Sequence, residues 1–191
     1  MSTTAIATIQ EIPLRIGTWQ VDETHSSILF SIRHLGLAKV RGRFERFETT
    51  LEIGPTLAES TITATIDLES INTNNNDRDT HLRSTDFFST ASHPTAHFRA
   101  TGIQGAGSDW VMRGELTLNG ITRPISLDVE FNGLQEMPQY GHVLAGFTAT
   151  GVLRRSEFGI DFGMLPLGAD KLALSDEVKL ELDVEYREPA S

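Results

Sequence analysis

The stretch VKLELDVEYR, residues 178–187, decides the fold, because apolar and polar side chains alternate through it without a break. Such alternation is typical of a β-strand that has one dry face and one wet face. The same two-residue period occurs in residues 26–33 and 125–131. The chain therefore looks like an antiparallel sheet that buries one side.

Alternating runs recur along the chain and predict strands at residues 18–21, 26–33, 40–53, 60–68, 96–103, 110–118, 121–131, 143–153 and 178–186. Asn119-Gly120 lies between two of these runs and is a strong hairpin signal, because both positions of a type I′ turn require a positive φ. Long strands joined by tight turns favour an all-β closed antiparallel barrel, which leaves no edge strand exposed. A two-sheet sandwich is the alternative.

The size and composition of the chain limit the possible classes of protein. A length of 191 residues fits one domain, predicted at residues 17–188 after a flexible N-terminal arm at 1–16. The sequence has no cysteine, which excludes thiol catalysis and zinc–thiolate sites. A net charge of −10 argues against nucleic acid as a partner.

The first twelve residues contain no Lys or Arg and no continuous apolar core. This pattern predicts neither a signal peptide nor a membrane span, so we expect a cytoplasmic location.

Two stretches break the alternation. Residues 70–92 are polar at first and contain Asn75 or Asn76 as the possible N-cap of a short helix, followed by apolar Leu82 and Phe87. Residues 154–176 form an apolar, glycine-containing loop. We expect its part at 158–167 to fold over a barrel opening as a lid hinged at Gly159 and Gly163; a permanent dimer contact is the alternative.

Small residues on the dry face raise the question of whether the barrel is hollow. They include Ala64, Ala100, Gly114 and Ala149. An eight-stranded barrel is wide enough either to be filled by its side chains or to hold one small ligand, and small residues favour the second. The alternative is that large residues from opposite strands fill the gaps.

Polar chemistry is sparse in the sequence. His93 and His97 are four residues apart, but Pro94 separates them and no acidic residue is close, so no metal site is predicted. Phosphate-binding loops and hydrolase motifs are absent, and no cofactor is expected. Five arginines could either hold an anionic head group at a barrel mouth or face solvent. They are Arg33, Arg41, Arg43, Arg154 and Arg155.

Several motifs together resemble the YceI-like family, also called the polyisoprenoid-binding or lipid-binding lipocalin-like family. They are Trp19-Gln20-Val21-Asp22, Phe30-Ser31-Ile32-Arg33-His34-Leu35-Gly36, Ser70-Ile71-Asn72-Thr73, Asp86-Phe87-Phe88, Gly114-Glu115-Leu116-Thr117-Leu118-Asn119-Gly120 and Ser175-Asp176-Glu177-Val178. The resemblance runs from about Gly17 to Tyr186.

The resemblance implies an extended eight-stranded antiparallel barrel of lipocalin type with a short helical cap at 76–88 and a long apolar tunnel. It further implies a polyisoprenoid, quinone or similar amphiphile as ligand, and a homodimer. Many relatives are exported to the periplasm, and this chain departs from them in lacking a recognisable signal peptide.

The leading interpretation is a non-enzymatic protein that binds a long-chain isoprenoid-like amphiphile as a carrier, store or sequestering protein. The predicted ligand-binding residues are Phe30, Ile32, Phe44, Ile62, Ile66, Phe98, Leu116, Leu127, Val129, Phe147, Arg155, Phe158 and Leu182. One alternative is an enzyme that uses His34 or His81 as an acid–base group at the mouth, which requires a histidine paired to a carboxylate inside the cavity. The other is an interaction module that uses the apolar loop 158–167.

Overall fold

The computed structural model describes residues 13–167 and 172–189. Its strands are β1 (Gly17–Val21), β2 (Ser27–His34), β3 (Ala38–Phe44), β4 (Phe47–Ile53), β5 (Thr61–Asp67), β6 (Ile71–Asn72), β7 (Thr95–Ala106), β8 (Asp109–Leu118), β9 (Ile121–Met137), β10 (His142–Arg154) and β11 (Leu174–Arg187). One α-helix, α1 (Asn76–Arg83), lies between β6 and β7 in this part of the chain.

Eight strands close into a barrel in the order β1-β4-β5-β7-β8-β9-β10-β11, and β11 returns to β1 through the pair Val21 and Tyr186. Every pairing in this ring is antiparallel. The predicted closed barrel is confirmed, and the sandwich alternative is excluded.

Strands β2 and β3 extend the barrel at one end. β1 and β2 pair with the same edge of β11. β2 pairs with the earlier part of that strand, from Leu174 to Asp183, with a register shift between Leu174 and Val178. β3 then pairs with β2, and the two-residue β6 pairs with the end of β3. The hairpin of β2 and β3 therefore forms a wall that continues past the point where β1 ends.

The prediction of one strand over residues 40–53 is wrong, because the chain changes partners at Glu45 and Arg46. The backbone N–H groups of both residues donate to the Ser70 hydroxyl, at 3.1 and 3.0 Å. The Glu45 N–H also donates to the Ser70 carbonyl at 3.2 Å, so Ser70, rather than a neighbouring strand, satisfies both N–H groups. β3 therefore pairs with β2 and β6, while β4 pairs with β1 and β5.

Local signals in the sequence explain the turn and the helix. Asn119 and Gly120 have φ values of 52° and 74°, as a type I′ turn between β8 and β9 requires. The side chain of Asn75 caps α1 by accepting a hydrogen bond from the N–H of Arg78 at 2.9 Å. Phe87, 8% exposed, packs into the core just after the helix. The predicted helical cap is thus confirmed.

The N-terminal arm predicted at residues 1–16 falls mainly outside the described residues. Of its described part, Leu14 is buried in the core, and the carbonyl of Arg15 accepts a hydrogen bond from Trp19 Nε1 at 2.8 Å. These contacts join the start of the described chain to the barrel.

Candidate functional site

The barrel encloses a cavity of about 480 Å³, which is within the range of ligand pockets, roughly 300–1,000 Å³. The inward side chains of β11 show how its wall is made. Val178, Leu180, Leu182 and Val184 line the cavity, whereas the alternate residues of the same strand carry the charges and point outward. The wall is almost entirely hydrocarbon and aromatic.

Small residues contribute to this cavity in two different ways. Ala64 and Ala149 lie on the wall, as expected. At Gly114 a large side chain fills the gap, because the ring of Phe98 covers the place where a Cβ would be. Gly42 likewise lies beneath the ring of Phe30, its cross-strand partner. The expectation of open space at Gly114 is therefore wrong; the glycine accommodates an aromatic ring that itself lines the cavity.

The structure places all the predicted ligand-binding residues except Phe158 on the cavity wall: Phe30, Ile32, Phe44, Ile62, Ile66, Phe98, Leu116, Leu127, Val129, Phe147, Arg155 and Leu182. Their contact with a ligand stays a prediction. Phe87, Phe88 and Leu180 also line the wall, but they were not among the ligand-binding residues predicted from the sequence. Strand alternation could have found Leu180, since it shares a face with Leu182.

Phe158 lies in the core outside the cavity wall. Its side chain is 2% exposed, and its carbonyl accepts a hydrogen bond from Asn119 Nδ2 at 3.2 Å. This contact joins the short 3-10 turn Arg155–Phe158 to the hairpin of β8 and β9. The position of Phe158 indicates an anchor for the loop that follows it.

Aromatic residues close the end of the cavity near the carboxyl end of β11. The rings of Trp110 and Phe131 stack with their centroids 5.7 Å apart, and Phe147 contacts both Trp110 and Tyr186. The Tyr186 hydroxyl is 2.7 Å from that of Thr49. Burial raises the pKa of the Tyr186 phenol, so the group stays neutral. A ligand therefore meets an apolar surface at this end, because the hydroxyl groups of Thr49 and Tyr186 already bond each other.

The opposite end, at the start of β11, is the polar mouth of the cavity. His34, Arg78, His81 and Arg155 line the wall there, together with apolar residues such as Leu174. Arg78 is held by Thr73, whose hydroxyl and carbonyl oxygens accept from Nε and Nη2 at 2.7 Å each. The cavity therefore runs from an apolar closed end to a cationic mouth.

Arg155 is the most buried cation at the mouth, at 3% exposure. Its guanidinium donates to the backbone carbonyls of Ser175, Ile160 and Leu174, at 2.8, 3.0 and 3.0 Å. Burial lowers the pKa of Arg155 from its ordinary value, yet a guanidinium remains protonated. None of the ion pairs formed within the described ranges includes Arg155. Asp176 and Asp161 lie near enough to act on this charge, but neither bonds the guanidinium directly, and the Arg155 side chain faces the cavity.

His81 forms a histidine–carboxylate pair, with Nε2 2.7 Å from Asp86 Oδ2, whereas the enzyme alternative requires such a pair inside the cavity. The two side chains are 42% and 49% exposed, so the pair lies at the rim rather than inside the cavity. Asp86 is not on the wall, and His81 packs edge-on against the rings of Phe87 and Phe162. The geometry places this pair beside the entrance.

The apolar loop 158–167 extends across the mouth to the helical cap. The ring of Phe162 lies 4.8 Å from that of His81 and 5.2 Å from that of Phe87, centroid to centroid. Ile160 is buried, whereas Leu165 and Leu167 are exposed. The loop covers part of the opening, and its movement as a lid stays a prediction.

The fold and the cavity define a closed antiparallel β-barrel with an apolar interior open at one end. Residues 19–186 match the model of the YceI-like domain, and the chain belongs to this family. A UPF0312 protein of Staphylococcus aureus is 38% identical over 167 residues, which cover 86% of this chain and 94% of the relative.

Solved structures show the same fold. The YceI protein of Campylobacter jejuni has a TM-score of 0.71 and 29% identity, over 83% of this chain and 91% of its own. A polyisoprenoid binding domain from Saccharophagus degradans has a TM-score of 0.65 and 17% identity, over 92% of this chain and 100% of its own. In the described part of the chain, no helix has the length and apolar character needed to cross a bilayer.

Proposed function

We propose that this protein binds the apolar chain of a long isoprenoid-like amphiphile inside the barrel and acts as its carrier, store or sequestering protein. The observation that carries the proposal is the cavity of about 480 Å³, with its hydrocarbon wall and the cationic side chains of Arg78 and Arg155 at one end. Membership of the YceI-like family supports the proposal. The chain also shares its fold with a domain described as polyisoprenoid binding.

Packing alone provides enough free energy for such binding. Ten buried methylene groups contribute about 8 kcal/mol before entropy costs, and a micromolar dissociation constant corresponds to about 8.2 kcal/mol. Polar contacts at the closed end are not required. The ligand is therefore selected mainly by the length and shape of its apolar chain.

The cavity also makes the empty protein less stable than the filled one. The side chains that line the empty volume lack packing partners on one side and lose those dispersion contacts. A chain that fills the volume restores the missing contacts.

The head group of the ligand is assigned to the mouth. The hydroxyl groups at the closed end are paired with each other, whereas Arg155 presents a charge without a bonded carboxylate. A hydroxyl, carbonyl or phosphate oxygen placed there would accept from Arg155 or Arg78. The head group then lies beneath the loop 158–167 while the chain extends toward Trp110.

Binding is favoured over catalysis at this site. The His81–Asp86 pair is about half exposed, and the hydroxyl groups of Thr49 and Tyr186 lie at the other end of the cavity. A general base without a nearby reacting group does not make a catalytic site. The cytoplasmic location and the homodimer stay predictions.

Ligand binding is expected to raise the melting temperature. At a ligand concentration one hundred times the dissociation constant, binding stabilises the native state by about 2.7 kcal/mol. For a domain of this size that corresponds to an increase of about 5–11 °C. The measurement is a calorimetric melt of protein stripped of lipid and refolded, with and without a long polyprenol delivered from cyclodextrin.

Prenol, the single-unit alcohol with the same head group, is the control for this melt. It is expected to leave the melting temperature almost unchanged, because it buries few methylene groups. An equal increase with both alcohols would contradict a site that selects the apolar chain.

A further inference from the structure

Exposed apolar side chains surround the mouth of the cavity. We define the apolar rim as Leu35, Leu37, Phe162, Leu165 and Leu167, of which Leu37 is 80% and Leu165 67% exposed. Single exposed apolar residues are common on protein surfaces, but a cluster beside a cavity marks an interaction site.

Backbone hydrogen bonds join the two segments of the rim. The N–H of Leu35, in the turn between β2 and β3, donates to the carbonyl of Ala173 at 2.8 Å. The N–H of Ala173 in turn donates to the carbonyl of Leu165 at 2.9 Å. Phe162, in the same loop, packs on His81 of the cavity wall. The rim is thus one connected surface at the entrance.

The outer face of the adjoining hairpin is basic, although the chain as a whole has a net charge of −10. Residues 27–44 contain Arg33, Lys39, Arg41 and Arg43 and no Asp or Glu. Ile32 and Val40 line the cavity, so the alternate positions that carry these cations point outward. We define the basic face as Arg33, Lys39, Arg41 and the neighbouring Lys179; on the same outer face of β11, Glu177 and Glu181 flank Lys179, so the cations of β2 and β3 carry most of the positive charge.

The arrangement within the basic face is unfavourable for the isolated protein. Arg33 and Lys39 are direct cross-strand partners, and Ser31 lies between Lys179 and Arg41. Like charges directly opposite each other destabilise a sheet. None of the ion pairs in the described residues includes a member of the basic face, whereas Arg43, farther from the tip, pairs with Glu45 at 2.8 Å. An external anionic surface would relieve this repulsion.

We propose that the mouth end docks on an anionic lipid bilayer, with the apolar rim in the interface and the basic face against the head groups. Both components are those of a peripheral membrane site, where apolar side chains enter the interface and cations bind anionic lipids. A two-fold contact made by the same rim and basic face of two copies fits less well, because it offers the cations no anionic partner. Docking would place the cavity entrance at the bilayer, where a long-chain lipid resides. Only this purpose of docking rests on the proposed function; the docking proposal itself rests on the apolar rim and the basic face.

Vesicle sedimentation tests the proposal. The stripped protein is mixed with vesicles of phosphatidylcholine alone or of phosphatidylcholine with phosphatidylglycerol. Each cation near an anionic surface contributes roughly fivefold to partitioning, so we expect binding to the anionic vesicles to be at least tenfold tighter. The double variant Arg33→Glu/Lys39→Glu is expected to lose at least tenfold of that binding. Leu37→Asp/Leu165→Asp is expected to lose as much.

Matched variants at other positions control for charge and exposure. Arg113→Glu/Arg187→Glu changes the net charge equally on exposed parts of the barrel, and Tyr140→Asp alters a residue that is 69% exposed at the opposite end. Both are expected to bind anionic vesicles as the parent does. The proposal is overturned if the parent protein does not bind anionic vesicles. It is also overturned if the variants of the rim and of the basic face bind these vesicles as the parent does.

Two parallel measurements separate docking from its alternatives. If the rim variants convert a dimer to a monomer in solution and leave vesicle binding unchanged, the rim is a dimer contact and the proposal is overturned. Polyprenol binding from cyclodextrin, without vesicles, is expected to survive in Arg33→Glu/Lys39→Glu and in the two control variants. Vesicle docking by a protein that binds no polyprenol would support docking while contradicting the proposed function.

Discussion

Ala149→Phe is expected to weaken the binding of a long polyprenol at least tenfold, or by about 1.4 kcal/mol. Ala149 lies on the cavity wall, opposite Leu182 of β11 in the sheet register. A phenyl ring at this position would occupy volume that the apolar chain needs, and each methylene that is excluded costs about 0.8 kcal/mol. The measurement is a titration of stripped protein with polyprenol, followed by calorimetry or intrinsic fluorescence.

Thr150→Phe is the matched control, because Thr150 is the next residue on the same strand and is exposed on the outer face. It is expected to bind polyprenol as the parent does. Ala64→Phe, with Thr63→Phe as its control, blocks the cavity from β5 and provides a second test should Ala149→Phe fail to fold. Folded blocking variants with unchanged affinity would show that the ligand is not in the barrel.

Arg155→Met is expected to destabilise the protein by on the order of 4 kcal/mol, because three carbonyl groups, one in a buried and two in part-buried hydrogen bonds, lose a charged donor. For a domain of this size the melting temperature should fall by about 8–16 °C. Arg155→Lys retains the charge but cannot reach all three acceptors, so we expect it to recover less than half of the loss. Urea unfolding of the stripped proteins measures these differences.

Arg154→Met is the control for this substitution, since Arg154 precedes Arg155 and is exposed. A surface substitution of this kind usually changes the free energy of unfolding by less than about 0.5 kcal/mol. If Arg155→Met is no more destabilised than Arg154→Met, the carbonyl contacts do not hold the loop.

Local patterns predicted most of the barrel. Alternation at 178–187 gives the inward and outward faces of β11, and Asn119-Gly120 gives the hairpin of β8 and β9. The break between β3 and β4 could not be predicted in this way. It depends on Ser70, which lies more than twenty residues away and accepts from the N–H groups of Glu45 and Arg46.

The candidate site was predictable to the extent that it follows from strand faces. Phe30 and Phe98 lie on the wall because alternation turns them inward, but their positions over Gly42 and Gly114 depend on neighbouring strands. Arg155 shows a second limit. Its type and position suggested a contact with the head group, whereas its three carbonyl partners come from a loop and a strand that only folding brings together.

Mass spectrometry of an organic extract tests the central claim most directly. The parent and Ala149→Phe are purified in parallel from the native host, and the lipids bound to each are identified and quantified per chain. We predict a long-chain isoprenoid-like lipid, chemically intact, at close to one molecule per parent chain and strongly depleted in the variant. An extract without such a lipid, or with equal amounts from both proteins, would contradict a barrel that holds an apolar chain.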